Sequence, residues 1–225
     1  MTRVLVLRAR EDAERTALKL RGMGFEPLLS PVLEIVATGA AIPRGPFDAV
    51  LATSAKGLEF CGEPGRLQTL PLYAVGARTE KIARETGWRA ALVAGNAQAL
   101  LPLIHDRHQA PARFLYLAGR DRQADLETGL REQGHGLTIV ETYQARAATA
   151  LTPAAVDALA RGEIAAALHY SRRSAEIFMA LARDSGLTEA LGAIDHCALS
   201  EDVASPLPRA KIAERPDEEH LLRLL

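Results

Sequence analysis

The chain has 225 residues, a formal net charge of −1 and 4% aromatic residues. This balance argues against generalised binding to nucleic acid or to a membrane surface, although it does not exclude a local basic cleft. The two cysteines, Cys61 and Cys197, fit no CxxC or zinc pattern, and no apolar run is long enough to span a bilayer, so a cytoplasmic protein without a disulfide framework is expected.

Short apolar runs alternate with segments of helical periodicity along the whole chain. The first run, 4–7, is followed by a helical pattern over 12–23 that ends at Gly24. Nine further apolar runs predict strands near 27–29, 49–52, 72–75, 90–93, 114–117, 137–140, 165–169, 194–198 and 210–213. Such alternation is typical of α/β proteins with parallel sheets. Two five-stranded sheets suit this length better than one sheet of ten strands.

Three blocks of the sequence occur twice, in the same order. The segment beginning "RVLVLRARED" at Arg3 matches the segment beginning "RFLYLAGRDR" at Arg113. Next, "AVLATSAKGLEF" matches "AALHYSRRSAEI", and "YAVGART" resembles "CALSEDV". Any one match could arise by chance in a chain rich in alanine and leucine. Three matches in order predict a duplicated α/β unit.

Polar turns follow many of the predicted strands. They lie at 8–12, 53–57, 76–79, 119–122, 170–174 and 200–202, and they carry Arg8, Arg10, Arg78, Arg120, Arg122, Arg172 and Arg173. Ligands of open α/β sheets bind beyond the carboxyl ends of the strands, where helix N-termini favour anions. These turns therefore predict an arginine-rich rim suited to carboxylate or phosphate. The simpler alternative is that the serines only cap helices and the arginines are only solvated.

Several common catalytic motifs are missing. The sequence contains no GxGxxG after the first strand, no P-loop, no GxSxG and no HExxH. Its six histidines show no metal-ligand spacing. We therefore expect neither a dinucleotide site nor a metal site.

An ordered set of weaker motifs resembles one family. The segments "GFEPLLSPVLEI", "TSAKG", "VGARTEKIA" and "TYQ" follow one another as in the uroporphyrinogen-III synthases. The resemblance implies two similar flavodoxin-like domains with parallel five-stranded sheets, joined by two extended linkers. Carried onto this chain, residues 1–31 and 148–225 form one domain, residues 37–140 form the other, and 32–36 and 141–147 are the linkers. The cleft between the domains would then be the ligand site.

The resemblance also implies an activity. Synthases of this family close the linear tetrapyrrole hydroxymethylbilane to uroporphyrinogen III, inverting ring D and losing water, in haem, sirohaem and cobalamin biosynthesis. It implies no cofactor and a cytoplasmic monomer whose partner is the small-molecule substrate, with no nucleic acid and no membrane. The alternative from another class is a non-catalytic, two-lobed cytosolic binding or regulatory protein for an anionic ligand.

Site residues follow from the same resemblance and from the arginine rim. Tyr143 matches the tyrosine of the family's linker motif and is the candidate acid, with packing in the hinge as the alternative role. The candidate substrate-binding residues are Arg8, Arg10, Thr53, Ser54, Gly76, Thr79, Gly119, Arg120, Tyr170, Ser171, Arg172, Ser174 and Ser200. The last turn departs from the family pattern, because Ser200 replaces a glycine and Val203 a threonine. Pro206 and Pro208 predict a short helix there.

Overall fold

The computed structural model describes residues 2–62 and 64–225. Eleven strands form in this part of the chain: β1 (Arg3–Val6), β2 (Glu26–Leu29), β3 (Leu33–Ala37), β4 (Ala49–Ala52), β5 (Leu72–Val75), β6 (Ala90–Ala94), β7 (Arg113–Gly119), β8 (Gly136–Ala147), β9 (Ile164–His169), β10 (Asp195–Ala198) and β11 (Ala210–Ile212). The strands divide between two compact units. Unit 1 combines the segment ending at Glu34 with Arg146–Leu225, and unit 2 is Ile35–Ala145.

Helices separate most of the strands. The described residues form α1 (Arg10–Gly22), α2 (Ala55–Glu59), α3 (Pro64–Leu67), α4 (Ala77–Glu85), α5 (Ala97–Arg107), α6 (Asp125–Glu132), α7 (Pro153–Ala160), α8 (Arg172–Asp184), α9 (Thr188–Ala193), α10 (Glu201–Ala204) and α11 (Glu218–Leu222). None of these helices is both long enough and apolar enough to cross a membrane. The short α10 agrees with the two prolines that follow it.

The sheet of unit 1 has the strand order β11-β10-β9-β1-β2, and all its pairs are parallel. Successive side chains of β1 point to opposite faces, so Leu5 joins one core cluster while Val4 and Val6 join another. Helix α1 buries Ala13, Ala17 and Leu20. Both faces of the sheet are therefore covered, as expected for a parallel sheet built from continuous apolar runs.

The sheet of unit 2 has the order β3-β8-β7-β4-β5-β6, and the pairs from β8 to β6 are parallel. Thr38 N donates to Thr142 O (3.0 Å) and Ala148 N donates to Val32 O (2.9 Å), so β3 meets β8 in the antiparallel sense. In α2, a Cβ at Gly57 would collide with the Leu117 carbonyl oxygen. Only glycine therefore lets α2 lie this close to β7.

The predicted fold class is confirmed: the structure has two mainly parallel α/β sheets, and all ten predicted strands are present. The unit 2 sheet has six strands, however, rather than the five predicted. The extra strand, β3, occupies the segment expected to be a linker, and the second expected linker continues β8. Pairing these extended segments satisfies backbone N–H and C=O groups that would otherwise need other partners.

Candidate functional site

The carboxyl ends of β7, β4 and β5 lie side by side in unit 2 and carry six of the predicted substrate-binding residues. Thr53 and Ser54 follow β4, Gly76 and Thr79 follow β5, and Gly119 and Arg120 lie at the end of β7. Adjacent parallel strands bring these positions to one edge of the sheet. This edge is called the unit 2 edge below.

Local contacts fix the conformation of the unit 2 edge. The hydroxyls of Thr53 and Tyr116 lie 2.6 Å apart. Ser54 Oγ accepts the Lys56 N–H at 3.3 Å, and so caps α2. Gly76 precedes α4 with φ of 86°, a left-handed conformation that favours glycine. The Thr79 side chain is buried. Ser54 therefore has the capping role that the simpler interpretation predicts.

Tyr143 lies beside this edge because β8 pairs Tyr143 with Gly119 at the end of β7. The Arg120 N–H donates to the Tyr143 carbonyl at 3.0 Å. The Tyr143 ring lies 6.3 Å from the Phe60 ring, centroid to centroid. Among residues 2–62 and 64–225, no group forms a hydrogen bond to the Tyr143 hydroxyl, and the side chain is only half-buried. The phenol is therefore free to contact a ligand.

An ion-pair network holds the turn after β7. Arg122 Nη1 donates to the carbonyl oxygen of Gly119 (2.9 Å) and to Glu141 Oε1 (2.9 Å), while its Nε donates to buried Glu127 (2.5 Å). Arg120 donates to Glu141 and to Gln144. Hydrogen bonds from Arg122 and then Arg120 lower the pKa of the Glu141 carboxyl, so this carboxylate stays ionised. Arg122 fixes the backbone of the turn, a role that the arginine-rich rim did not predict.

Unit 1 carries a corresponding edge at the carboxyl ends of β10, β9 and β1, with Ser200, Tyr170 and Arg8 respectively beyond these strands. Ser171 Oγ accepts the Ser174 N–H at 3.2 Å and caps α8, and the two hydroxyls lie 2.8 Å apart. Ser200 Oγ accepts the Val203 N–H at 3.4 Å and caps α10. This edge is called the unit 1 edge below.

The arginines of unit 1 have carboxylate partners within the chain. Arg172 pairs with Glu176 (2.9 Å) and Asp202 (3.5 Å). Arg8 pairs with Glu218 (2.9 Å), and the exposed Arg10 lies 3.7 Å from Glu14. The predicted rim is thus present as a set of ion pairs rather than as uncompensated positive charge.

The thirteen predicted substrate-binding residues and Tyr143 therefore form two sets. The unit 2 set is Thr53, Ser54, Gly76, Thr79, Gly119, Arg120 and Tyr143, and the unit 1 set is Arg8, Arg10, Tyr170, Ser171, Arg172, Ser174 and Ser200. Glu218 contacts the unit 1 set and was not predicted. It lies 210 residues from Arg8 and 48 from Tyr170, and no sequence motif marks it.

Metal-ligating side chains do not cluster in the part of the chain that the structure describes. No group of three or more His, Cys, Asp or Glu residues there could hold an ion. Both cysteines are buried thiols outside any disulfide, and burial raises the pKa of Cys197 to about 11. These thiols are core residues rather than reactive nucleophiles.

Two α/β units with polar, arginine-bearing turns at their carboxyl edges define a two-domain α/β protein with the kind of edge that binds anions. The family model for uroporphyrinogen-III synthase HemD (HEM4) matches residues 14–223. The chain belongs to the uroporphyrinogen-III synthase family, whose members are cofactor-independent lyases of tetrapyrrole biosynthesis.

Two solved structures have a similar fold. Uroporphyrinogen-III synthetase from Helicobacter pylori 26695 is 19% identical, with a TM-score of 0.66, over 100% of this chain and 98% of that one. A mutant uroporphyrinogen III synthase from the extremely thermophilic bacterium Thermus thermophilus is 22% identical, with a TM-score of 0.53, over 99% and 96%. At these sequence identities, the similarity shows a shared fold only. A search of curated proteins found no match.

Proposed function

We propose that this protein is a uroporphyrinogen-III synthase: it cyclises hydroxymethylbilane to uroporphyrinogen III with inversion of ring D and loss of water. The family match over residues 14–223 carries the proposal. No observation favours the alternative of a non-catalytic binding protein. The enzyme is proposed to act in the cytoplasm as a monomer on this small-molecule substrate.

Tyr143 is the proposed acid. Departure of the hydroxyl group from the bilane requires a proton and leaves a cationic azafulvene. The Tyr143 phenol can give its proton to the departing oxygen, so that water leaves. Two observations support this role: Tyr143 is fixed by its strand pairing with Gly119, and its hydroxyl is not bonded to another described residue. The remaining barrier is lowered by holding the bilane folded, so that its reacting carbons meet.

The acetate and propionate carboxylates of the substrate are proposed to bind at the two edges. At the unit 2 edge they would meet Thr53, the N-terminus of α4 and Arg120. At the unit 1 edge they would meet the N-terminus of α8 and Arg172. The ion pairs already present do not prevent this. Exposed pairs such as Arg172–Glu176 contribute only about 0–1 kcal/mol, so a substrate carboxylate can replace the partner.

The test is an isomer assay. The purified protein receives freshly made hydroxymethylbilane, and the products are oxidised and separated as porphyrin isomers. We expect isomer III to predominate and to form faster than the spontaneous product. Isomer I alone, formed at the rate seen without protein, would contradict the proposal. A non-catalytic binding protein would bind the bilane or slow its spontaneous cyclisation without producing isomer III.

A further inference from the structure

Glu218 accepts more hydrogen bonds than a surface carboxylate usually does. It is the first residue of α11, and its carboxylate turns towards the unit 1 edge. Oε1 accepts from Arg8 Nη1 (2.9 Å), Thr16 Oγ1 (2.6 Å) and Tyr170 Oη (2.8 Å). Oε2 accepts from Lys19 Nζ. The side chain is 21% exposed, so these contacts are partly shielded from water.

Three contacts fix the guanidinium group of Arg8. Its Nη1 donates to Glu218 Oε1 (2.9 Å) and to Thr16 Oγ1 (3.3 Å), and its Cζ lies 4.0 Å from the centroid of the Tyr170 ring, over the ring face. The Tyr170 hydroxyl is held by the same carboxylate oxygen of Glu218. Glu218 therefore sets the position of the arginine and of the ring on which it stacks.

This arrangement leaves the Nε–Nη2 edge of the guanidinium without a hydrogen bond to any other residue of 2–62 and 64–225, since both hydrogen bonds that Arg8 donates come from Nη1. Asp12 Oδ2 forms a 3.8 Å ion pair with Nη2, and this partly exposed carboxylate can give way to a ligand carboxylate. The Nε and Nη2 donors point the same way and match the two oxygens of a carboxylate. A fixed arginine can bind a carboxylate with little further loss of side-chain freedom.

Exchange of Glu218 for a substrate carboxylate is the competing interpretation, and the contacts argue against it. Arg172 is bound to exposed carboxylates, and either can swing away into water. Departure of Glu218 would instead break its bonds to Thr16, Lys19 and Tyr170 as well as the bond to Arg8. Such a carboxylate acts as a support and does not leave.

We propose that Glu218 is a positioning residue, which holds Arg8 flat against Tyr170 so that the Nε–Nη2 edge of Arg8 binds one carboxylate of the linear tetrapyrrole. The inference rests on the proposed synthase function. It assigns a role in substrate binding to α11, an element that the family motifs did not mark.

The first experiment compares Glu218→Gln with Glu219→Gln. The first variant keeps the shape of the side chain but loses its charge. The second changes the neighbouring residue, which pairs with Arg223 and is 73% exposed. For Glu218→Gln we expect KM for hydroxymethylbilane to rise about tenfold, with kcat within about twofold of wild type, as for loss of a hydrogen bond to a charged group. Glu219→Gln should match wild type. An unchanged KM in Glu218→Gln would overturn the proposal.

A double-mutant cycle tests whether Glu218 acts through Arg8. We expect Arg8→Ala to raise KM and the double variant Arg8→Ala/Glu218→Gln to raise it no further. Independent, multiplying effects on KM would overturn the positioning role. A lower melting temperature with unchanged KM in Glu218→Gln would do the same, because it would show a structural role only.

A spectroscopic measurement follows Arg8 without any turnover. In ¹⁵N NMR spectra, a guanidinium whose Nη1 group is held by a carboxylate gives slowly exchanging Nη–H signals, and Arg8→Lys identifies those of Arg8. We expect Glu218→Gln to lose these signals and Glu219→Gln to keep them. Signals that persist in Glu218→Gln would overturn the proposal.

If the wild-type protein makes no isomer III, the proposed function itself fails. If it makes isomer III and Glu218→Gln keeps its KM, only the role of Glu218 fails.

Discussion

The ring of Tyr143 lies against the backbone of Gly119 so closely that a Cβ at Gly119 would sit 2.6 Å from Tyr143 Cζ and 2.8 Å from its hydroxyl oxygen. The two residues are partners in the β7–β8 register. Glycine is required here by the neighbouring ring and not by an unusual backbone angle, since Gly119 is not among the glycines with positive φ. The absence of a side chain at Gly119 therefore lets the ring of Tyr143, the proposed acid, occupy this position.

Gly119→Ala should therefore displace the Tyr143 ring. We expect the rate of isomer III formation to fall at least about tenfold, because a misplaced catalytic group loses its alignment. Overpacking at this contact should lower the free energy of unfolding by about 1–3 kcal/mol in urea titration. Gly192→Ala is the control, since a Cβ at Gly192 meets nothing within 4 Å. Normal activity in Gly119→Ala would show that the position of Tyr143 is unimportant.

Tyr143→Phe removes only the hydroxyl. Because this hydroxyl is not bonded to another described residue, the melting temperature should stay within about 2 °C of wild type. Loss of the acid should lower kcat for isomer III about tenfold or more. The matched control is Tyr73→Phe, whose hydroxyl lies 2.6 Å from His108 Nε2. That variant should lose about 1 kcal/mol of stability and keep its activity. A large loss of stability with full activity in Tyr143→Phe would favour a packing role.

Arg172→Ala tests the unit 1 edge. We expect KM for hydroxymethylbilane to rise about two- to fivefold at low ionic strength, and less at high ionic strength, because salt screens exposed charges. Arg183→Ala serves as the control at the other end of α8, where Arg183 Nε donates to the Met179 carbonyl. If KM and its salt dependence are the same in wild type and in Arg172→Ala, Arg172 is merely solvated.

Two buried histidines of unit 1 should make stability depend on pH. His196 Nε2 lies 2.9 Å from the Leu191 carbonyl, so it carries the proton, and His196 Nδ1 accepts from His169 Nε2 (2.9 Å). His169 Nδ1 is buried without a partner in the described part of the chain. Burial, and then the charge of His196, lower the pKa of His169 to about 3.

The direction of this pH dependence follows from the pH at which the folded and the unfolded state each protonate His169. The unfolded chain protonates His169 near pH 6.5, whereas the folded protein does so only near pH 3, so stability falls as the pH drops between these values. One such proton changes the free energy of unfolding by about 1.4 kcal/mol per pH unit. In urea titrations from pH 7 to pH 5, the free energy of unfolding of His169→Phe should fall less steeply with decreasing pH than that of wild type. An equally steep fall in the two proteins would contradict this role of His169.

Much of the fold was predictable because its signals are local. The ten predicted strands are apolar runs bounded by polar turns, and the duplicated blocks Ala49–Phe60 and Ala166–Ile177 showed that the same junction occurs twice. Strand β3 was missed as a strand because its residues are only partly buried, so it lacks a continuous apolar run. Its pairing with β8 depends on backbone hydrogen bonds, which the sequence does not display.

The positions of the candidate site residues were more predictable than their contacts. Strand ends placed Thr53, Gly76 and Tyr170 at the carboxyl edges of the sheets, since chain order and parallel pairing determine those edges. The sequence did not reveal that Arg8 is bound to Glu218, because that contact joins the first strand to the last helix. Long-range side-chain contacts of this kind require the tertiary structure.

Strand β1 is an interior strand of the unit 1 sheet, between β2 and β9. During synthesis on the ribosome, β1 therefore cannot pair with β9 until Ile164–His169 has been made. This takes on the order of ten seconds at usual rates of synthesis. All of unit 2 is synthesised in that interval. We expect unit 2 to fold first and β1 to stay without its neighbour β9, with apolar side chains and an unpaired strand edge exposed. The yield of folded protein in the cell should then depend on how well chaperones protect this first segment.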